Sequence, residues 1–262
     1  MKTSVVEVGG LRLRVGRAGD GPPLLLITGI GANLDMWRPL EGRLGERELI
    51  AFDAPGVGGS QRPRLPLRMG DVARIVRELM DVLGLERPDV LGYSWGGALA
   101  QELTRRSPER VRRLVLCATG PGLGGVPPKP LAALALATPA RYYHPRLLEL
   151  TVPLIAGGRT ARDRSVLIGN AQARLSRPPD VLGYAYQLYA AAGWTSLPWL
   201  HRIEHPVLVV GGDDDPAVPV TNARMLAKRL PNARLHVVRG GGHLFLLDQP
   251  EDAAPEIAAF LL

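Results

Sequence analysis

Ser94 stands in Gly92-Tyr93-Ser94-Trp95-Gly96-Gly97, a G-x-S-x-G pattern. An apolar run, Val90-Leu91, precedes it, and a helical pattern from Ala98 to Arg106 follows. That is the context of a strand-to-helix turn that lifts a serine hydroxyl to a sheet edge. A side chain two positions either side of the serine would clash in so tight a turn, and glycine at 92 and 96 removes the clash. The helix N-terminus beside the hydroxyl favours negative charge. The chemistry such a serine could do is nucleophilic attack on an acyl carbon, for which it needs a base.

His243 is the histidine best placed to be that base. It follows the last apolar run, in Gly240-Gly241-Gly242-His243-Leu244, and the three glycines are expected to free the loop to bring the imidazole over the serine. His144 falls in a proline- and alanine-rich stretch, and His236 falls inside a strand pattern. His201 and His205 have an i, i+4 spacing, but Pro206 breaks any helix there and no third ligand is near, so no metal site is expected. An imidazole acting as base needs a carboxylate to fix its tautomer. Asp213, Asp214 and Asp215 lie together after the fifth buried run, and each is a candidate by chemistry. Charge developing on a carbonyl oxygen also needs N–H donors. The expected pair is the backbone N–H of Trp95, next to the serine, and that of Ile30 in Thr28-Gly29-Ile30-Gly31. Asp53-Ala54-Pro55-Gly56-Val57-Gly58-Gly59-Ser60 lacks the Gly-Lys-Ser/Thr ending of a phosphate loop and is read as a structural turn.

These residues need a scaffold. Leu24–Ile27, Leu49–Phe52, Val90–Leu91, Leu114–Leu116, Val207–Val210 and Leu235–Val238 are short apolar runs without alternation, as in parallel strands covered on both faces. Val5–Val8 and Leu11–Val15 flank Gly9-Gly10 and predict an antiparallel hairpin at the start. Helical periodicity runs from Met69 to Leu83, and helices are expected over Gly96–Ser107, Val220–Leu230 and Pro250–Leu261. The reading is an α/β fold with a mostly parallel sheet of about eight strands.

The alternation breaks between Gly120 and Ile203. This stretch opens with Gly120-Pro121-Gly122-Leu123-Gly124-Gly125-Val126-Pro127-Pro128 and carries Tyr142, Tyr143, Tyr184, Tyr186, Tyr189, Trp194 and Trp199. It is expected to be a helical lid, residues 120–203, inserted after the sixth strand into a core made of 1–119 and 204–262. Tyr142, Tyr189, Trp194, Trp199 and Leu244 are candidate substrate contacts.

The chain has 262 residues, 46% of them hydrophobic and 22% charged, enough for a large core without staples. One cysteine, Cys117, excludes an internal disulfide and is read as core packing. The +7 formal charge comes from arginines scattered in ones and twos, with no block of like charge and no nucleic-acid motif, so no nucleic-acid partner is expected. No apolar run reaches the roughly 20 residues of a membrane span, and the start lacks a signal-peptide pattern. The expected location is cytoplasmic.

The whole chain, from about residue 5 to 261, resembles the α/β-hydrolases, and among them the intracellular depolymerases of medium-chain-length poly(3-hydroxyalkanoates). The resemblance rests on Gly29-Ile30-Gly31-Ala32-Asn33-Leu34, Phe52–Ser60, Ser94-Trp95-Gly96-Gly97-Ala98-Leu99-Ala100-Gln101, Gly193-Trp194-Thr195-Ser196, Gly212–Pro216 and Gly242-His243-Leu244-Phe245-Leu246. It implies a catalytic triad of Ser94, Asp215 and His243, ester cleavage through an acyl-enzyme, no cofactor, and a hydrophobic polyester granule or a small ester as partner. It also implies work at a storage-granule surface. Many members have histidine where this chain has Thr28, and a smaller residue where it has Tyr93. A carboxylesterase or carbon–carbon bond hydrolase on the same scaffold is the rival reading. A non-catalytic binder is the rival from another class, and the intact serine, acid and histidine argue against it.

Overall fold

Gly9 and Gly10, at φ 56° and 74°, turn β1 (Lys2–Val8) back into β2 (Leu11–Ala18). Two successive positive φ values match the twist of the strands they join, and glycine adopts them freely. The computed structural model describes residues 1–163, 165–166 and 177–262. Six further strands follow: β3 (Pro23–Ile27), β4 (Glu48–Phe52), β5 (Asp89–Tyr93), β6 (Leu114–Cys117), β7 (Val207–Gly212) and β8 (Ala233–Val238). They form one eight-stranded sheet in the order β1-β2-β4-β3-β5-β6-β7-β8. β2 pairs antiparallel with β1 and β4, and all other pairs are parallel.

The absence of alternation in β3 to β7 follows from burial on both faces; β8, expected to be covered in the same way, is an edge strand and largely exposed, Leu235 included. Leu25, Ile27, Val90, Leu114 and Val207 point to one core, with Val76 and Leu79 of α1 (Met69–Val82) and Leu99 and Leu103 of α2 (Trp95–Arg106). Leu24, Leu26, Leu91, Val115 and Leu208 point to the other, with Trp37, Phe245 and Ile257. Burying each such aliphatic side chain contributes about 1.5–3 kcal/mol, so the sheet is rigid where it must hold a site. Cys117 is fully buried in the second core, and burial pushes its thiol well above the usual range.

Strand order dictates where a ligand can sit. After β3 the chain crosses to β4 on one side; after β5 it crosses to β6 on the other. The loops leaving the C-terminal ends of β3 and β5 therefore diverge, and open α/β sheets bind ligands in that crevice.

Between β6 and β7 lie α3 (Pro130–Leu136), α4 (Pro145–Ala156), α5 (Gly158–Arg162) and α6 (Val181–Ala191). The stretch is closed at its base. Leu123 N–H donates to Trp194 C=O (2.8 Å), Ser196 N–H donates to Pro121 C=O (2.8 Å), and Gly122 bridges to Thr195. The expected lid, 120–203, includes residues 164 and 167–176, which lie outside the described residues. The chain ends with α7 (Thr221–Arg229), a short α8 (Phe245–Asp248) that the periodicity did not signal, and α9 (Pro250–Leu261). Among the described residues no helix is long and apolar enough to cross a membrane.

Candidate active site

β5 ends at Tyr93, and Ser94 takes φ 55° and ψ −118° before α2 begins at Trp95. Non-glycine residues with positive φ are uncommon, and such a residue costs about 1–3 kcal/mol unless its surroundings hold it there. Here they do. Ser94 N–H donates to Cys117 C=O (2.9 Å), and Ser94 C=O accepts from Gly97 N–H (2.9 Å) and the Thr119 hydroxyl (2.8 Å). The flanking glycines are sterically required. A Cβ on Gly92 would lie 2.5 Å from Gly96 O, one on Gly96 2.3 Å from Ile27 O, and one on Gly97 2.5 Å from Thr119 Cβ. The third requirement, Gly97 against Thr119, was not foreseen from the sequence, since the two residues meet only in the fold.

His243 comes to this turn from the loop after β8. Its Nε2 lies 3.0 Å from Ser94 Oγ, and its Nδ1 lies 2.8 Å from Asp215 Oδ2. A carboxylate can only accept, so Nδ1 carries the proton and Nε2 of the neutral ring accepts from the serine hydroxyl. Both His243 and Asp215 are buried, whereas Ser94 is half-buried and reachable. The backbone of His243 is held on both sides: its N–H donates to Ala156 C=O (2.5 Å), and its C=O accepts from the Tyr93 hydroxyl. The Tyr93 ring also sits 5.3 Å from the imidazole.

The glycines before His243 do different work from that expected. Only Gly240 has positive φ, at 63°. A Cβ on Gly242 would fall 2.1 Å from Ala156 O, and one on Gly212 2.1 Å from Gly241 O. The run lets this loop press against α4 and β7; it holds the imidazole still and does not give it freedom.

The three aspartates separate clearly. Asp213 accepts from Gly240 N–H (2.7 Å) at the surface. Asp214 takes Arg162 (2.5 Å) and Gly158 N–H (3.1 Å). Asp215 alone reaches His243, while its Oδ1 accepts from Ala217 and Val218 N–H, both at 2.8 Å.

Trp95 follows Ser94 directly, and Ile30 lines the same cavity as Ser94. Trp95 is the first residue of α2, so its N–H has no partner within the helix. Ile30 follows Gly29, whose backbone packs so closely that an added Cβ would lie 3.3 Å from Ser94 Cβ. The Ile30 C=O accepts from the Tyr142 hydroxyl (2.8 Å), and the next N–H, of Gly31, donates to Gln187 Oε1 (2.7 Å).

A cavity of about 540 Å³ opens over Ser94 and His243. Ile30, Met36, Leu136, Tyr142, Val152, Ile155, Leu244 and Leu247 give it apolar walls, and Arg14, Asn33, Asp35 and Arg38 form a polar end. Of the candidate substrate contacts, Tyr142 and Leu244 line this cavity. The expectation for Tyr189, Trp194 and Trp199 is corrected. Tyr189 is at the surface under the Arg68 guanidinium, 4.2 Å from its ring centre. Trp194 donates to Glu102 (3.2 Å) and packs edge-on against Trp199, which lies under Arg105. The two indole rings fasten the base of the inserted stretch to α2, and none of the three residues lines the cavity.

The polar end carried no sequence signal, because Arg14 lies in a strand whose arginines alternate like surface residues. In the fold Arg14 is buried, donating to Asp35 (3.1 and 3.2 Å) and Asp53 (3.2 Å). Burial pushes the Asp35 carboxyl up, but Arg14 and Arg38 outweigh it and hold it below the usual range. Burial wins at Asp53, whose carboxyl is pushed up although Gly59 N–H, Leu34 N–H and Arg14 donate to it. Asp53 thus ties the turn after β4 to the loop after β3, the structural role expected of its motif. Among the described residues no three His, Cys, Asp or Glu side chains converge as a metal-binding group. His205 and His236 bond to the carbonyls of Pro108 and Asp252.

Residues 22–250 match the family model described as the alpha/beta hydrolase fold. Over 240 residues the chain is 45% identical to a poly(3-hydroxyalkanoate) depolymerase of Ectopseudomonas oleovorans, covering 91% of this chain and 84% of that protein. It is 28% identical over 254 residues to a 2-hydroxy-6-oxo-6-phenylhexa-2,4-dienoate hydrolase of Comamonas testosteroni, covering 92% and 88%. The solved structure of a thermophilic esterase from Thermogutta terrifontis superposes with a TM-score of 0.83 at 25% identity, covering 100% of this chain and 98% of that one.

Proposed function

This chain belongs to the alpha/beta hydrolase family, and from that premise we propose that it cleaves ester bonds of medium-chain-length poly(3-hydroxyalkanoate) through a Ser94 acyl-enzyme. The observation that carries the reading is His243, whose two ring nitrogens meet Ser94 and Asp215 at the floor of a largely apolar cavity.

His243 Nε2 takes the hydroxyl proton as Ser94 Oγ attacks the ester carbonyl carbon. Asp215 stabilises the imidazolium that results. The oxyanion lies against the N–H groups of Trp95 and Ile30, where fixed donors in a dry site cost no reorganisation. Collapse breaks the bond to the alcohol oxygen, which leaves with the proton from His243. Water then gives a proton to His243 and its oxygen to the acyl carbon. The second collapse frees a 3-hydroxy acid or oligomer and returns the proton to Ser94 Oγ. The reading needs no metal or cofactor.

The apolar walls formed by Met36, Val152, Ile155 and Leu247 suit alkyl side chains. We assign the described residues of the 120–203 stretch as a lid over the serine. The exposed Leu131, Leu134 and Leu150 on α3 and α4 suit contact with a hydrophobic polyester granule. The 45% identity to a protein named as a depolymerase of this polymer class supports the substrate.

The test is a suspension of medium-chain poly(3-hydroxyalkanoate), followed by turbidity and by mass spectrometry of released acids, beside a short p-nitrophenyl ester. Clearing by the wild type and not by Ser94→Ala is expected. Hydrolysis of the short ester without polymer release would move the substrate to small soluble esters.

A further inference from the structure

Ile30 C=O and Gly31 N–H are the two ends of one peptide group, and two residues of the inserted stretch hold them. The Tyr142 hydroxyl donates to Ile30 O at 2.8 Å, and Gln187 Oε1 accepts from Gly31 N–H at 2.7 Å. Gln187 also reaches the other side of the serine: its backbone C=O accepts from Trp95 Nε1 at 3.0 Å. The peptide has little room to turn. Gly31 has φ 67°, and a Cβ there would lie 2.8 Å from the rings of both Tyr142 and Tyr184.

We infer that Tyr142 and Gln187 are positioning residues that clamp the Ile30–Gly31 peptide and, through the Ile30 Cα it shares with the Gly29–Ile30 peptide, aim the Ile30 N–H at the developing oxyanion. The inference rests on the acyl-enzyme reading above.

Three observations carry it beyond packing. First, Gln187 is buried, and its Nε2 has no partner among the described residues. A buried amide with one arm unpaired is disfavoured, and an apolar side chain would fill the same space without that cost. What the glutamine supplies is its oxygen. Second, the clamp is itself fixed. Arg141, buried, donates to the Tyr184 hydroxyl (3.0 Å), and its guanidinium lies over the rings of Tyr142 (4.6 Å) and Tyr184 (5.4 Å). Tyr184 donates to Leu136 O (2.6 Å), and burial pushes its phenol to about 12, so this donor persists at any ordinary pH. Third, the loop after β3 starts with Thr28, and the Thr28 side chain makes no bond to the Ile30–Gly31 peptide among the hydrogen bonds of the described residues. The Gly29–Ile30 peptide, which carries the Ile30 N–H, is held within the loop by Ala32 N–H donating to Gly29 C=O (3.1 Å), and the Ile30–Gly31 peptide that follows is held by Tyr142 and Gln187 from outside the sheet.

A bond that aims a donor acts on the transition state more than on bound substrate. Tyr142→Phe removes one oxygen, and Gln187→Met keeps the volume but removes the acceptor. Each is expected to lower kcat on a short soluble p-nitrophenyl ester by about tenfold to a hundredfold, below the loss for an oxyanion donor itself, with KM within about threefold. Affinity for a trifluoromethyl ketone, which forms a tetrahedral adduct with an oxyanion, should fall in parallel. Thermal unfolding of each variant checks that the fold stands. Wild-type kcat in both Tyr142→Phe and Gln187→Met would overturn the inference, as would a loss in KM alone with ketone affinity unchanged. Failure of the underlying reading looks different: wild-type enzyme would form no ketone adduct at Ser94, and the inference would fall with it.

Discussion

Asp215 and His243 are joined at 2.8 Å through Oδ2 and Nδ1, and the other oxygen of Asp215 is occupied by the N–H groups of Ala217 and Val218. The carboxylate is thus pinned by its own loop before it meets the imidazole. An amide at 215 could keep that position but would present the wrong partner to Nδ1, favouring the tautomer that leaves Nε2 protonated and unable to accept from Ser94. Asp215→Asn is expected to lower kcat by about 10³–10⁴-fold, the range such a change produces in triad enzymes. Asp213→Asn and Asp214→Asn, whose carboxylates bond elsewhere, should stay within about threefold. Steady-state kinetics on a soluble ester separates the three.

The turn that presents Ser94 depends on Gly97 as much as on the two glycines of the motif. A methyl group there meets Thr119, whose hydroxyl holds the Ser94 carbonyl. Gly97→Ala should destabilise the fold by about 1–3 kcal/mol, as overpacking does, and lower kcat with it. Urea unfolding measured beside kcat would show both effects; a variant with neither would remove Gly97 from the elbow.

Much of this arrangement was legible in the sequence. β3 to β7 announced themselves because burial on both faces leaves unbroken apolar runs, β1 and β2 because Gly9-Gly10 marks a hairpin, and Ser94, His243 and the aspartate loop each follow a strand with turn residues around them. Which aspartate meets the histidine, and which aromatics face the cavity, depend on contacts between segments far apart in sequence. Trp194 and Trp199 looked like substrate contacts because large aromatics in an inserted stretch suit apolar ligands. They turn to α2 instead because Glu102 and Arg105 offer the indole N–H and ring face partners there. Gln187 and Arg14 were silent because nothing local distinguishes a buried, bonded polar residue from a solvated one.

Trp194 and Trp199 accordingly belong to stability. Trp194→Phe removes the bond to Glu102 and should cost about 1.5–3 kcal/mol, the range for a hydrogen bond to a charged group. Turnover of a short ester should stay within about twofold. Thermal unfolding and kinetics on one preparation test this, and a change in KM without loss of stability would return Trp194 to the substrate.

Glu102 gives the fold a pH dependence of known sign. Burial pushes its carboxyl up, but bonds from Arg105, Arg106 and Trp194 outweigh it and hold the group below its ordinary value of 4.5. A carboxyl depressed in the folded state contributes stability above its unfolded value and loses it as pH falls through the folded value. Glu102→Gln should therefore be less stable than wild type near neutrality, with the difference shrinking once pH drops below about 4.5. Denaturation curves from pH 7 to 3 would show the convergence; a difference that widened on acidification would contradict it.

A nucleophilic Ser94 is open to covalent capture. Wild type and Ser94→Ala are treated with a fluorophosphonate, then read by intact mass and peptide mapping. One adduct per chain is expected, on Ser94, with activity lost in step with labelling, and no adduct in Ser94→Ala. An active wild-type enzyme that takes no label, or takes it at another residue, would rule out Ser94 as the nucleophile.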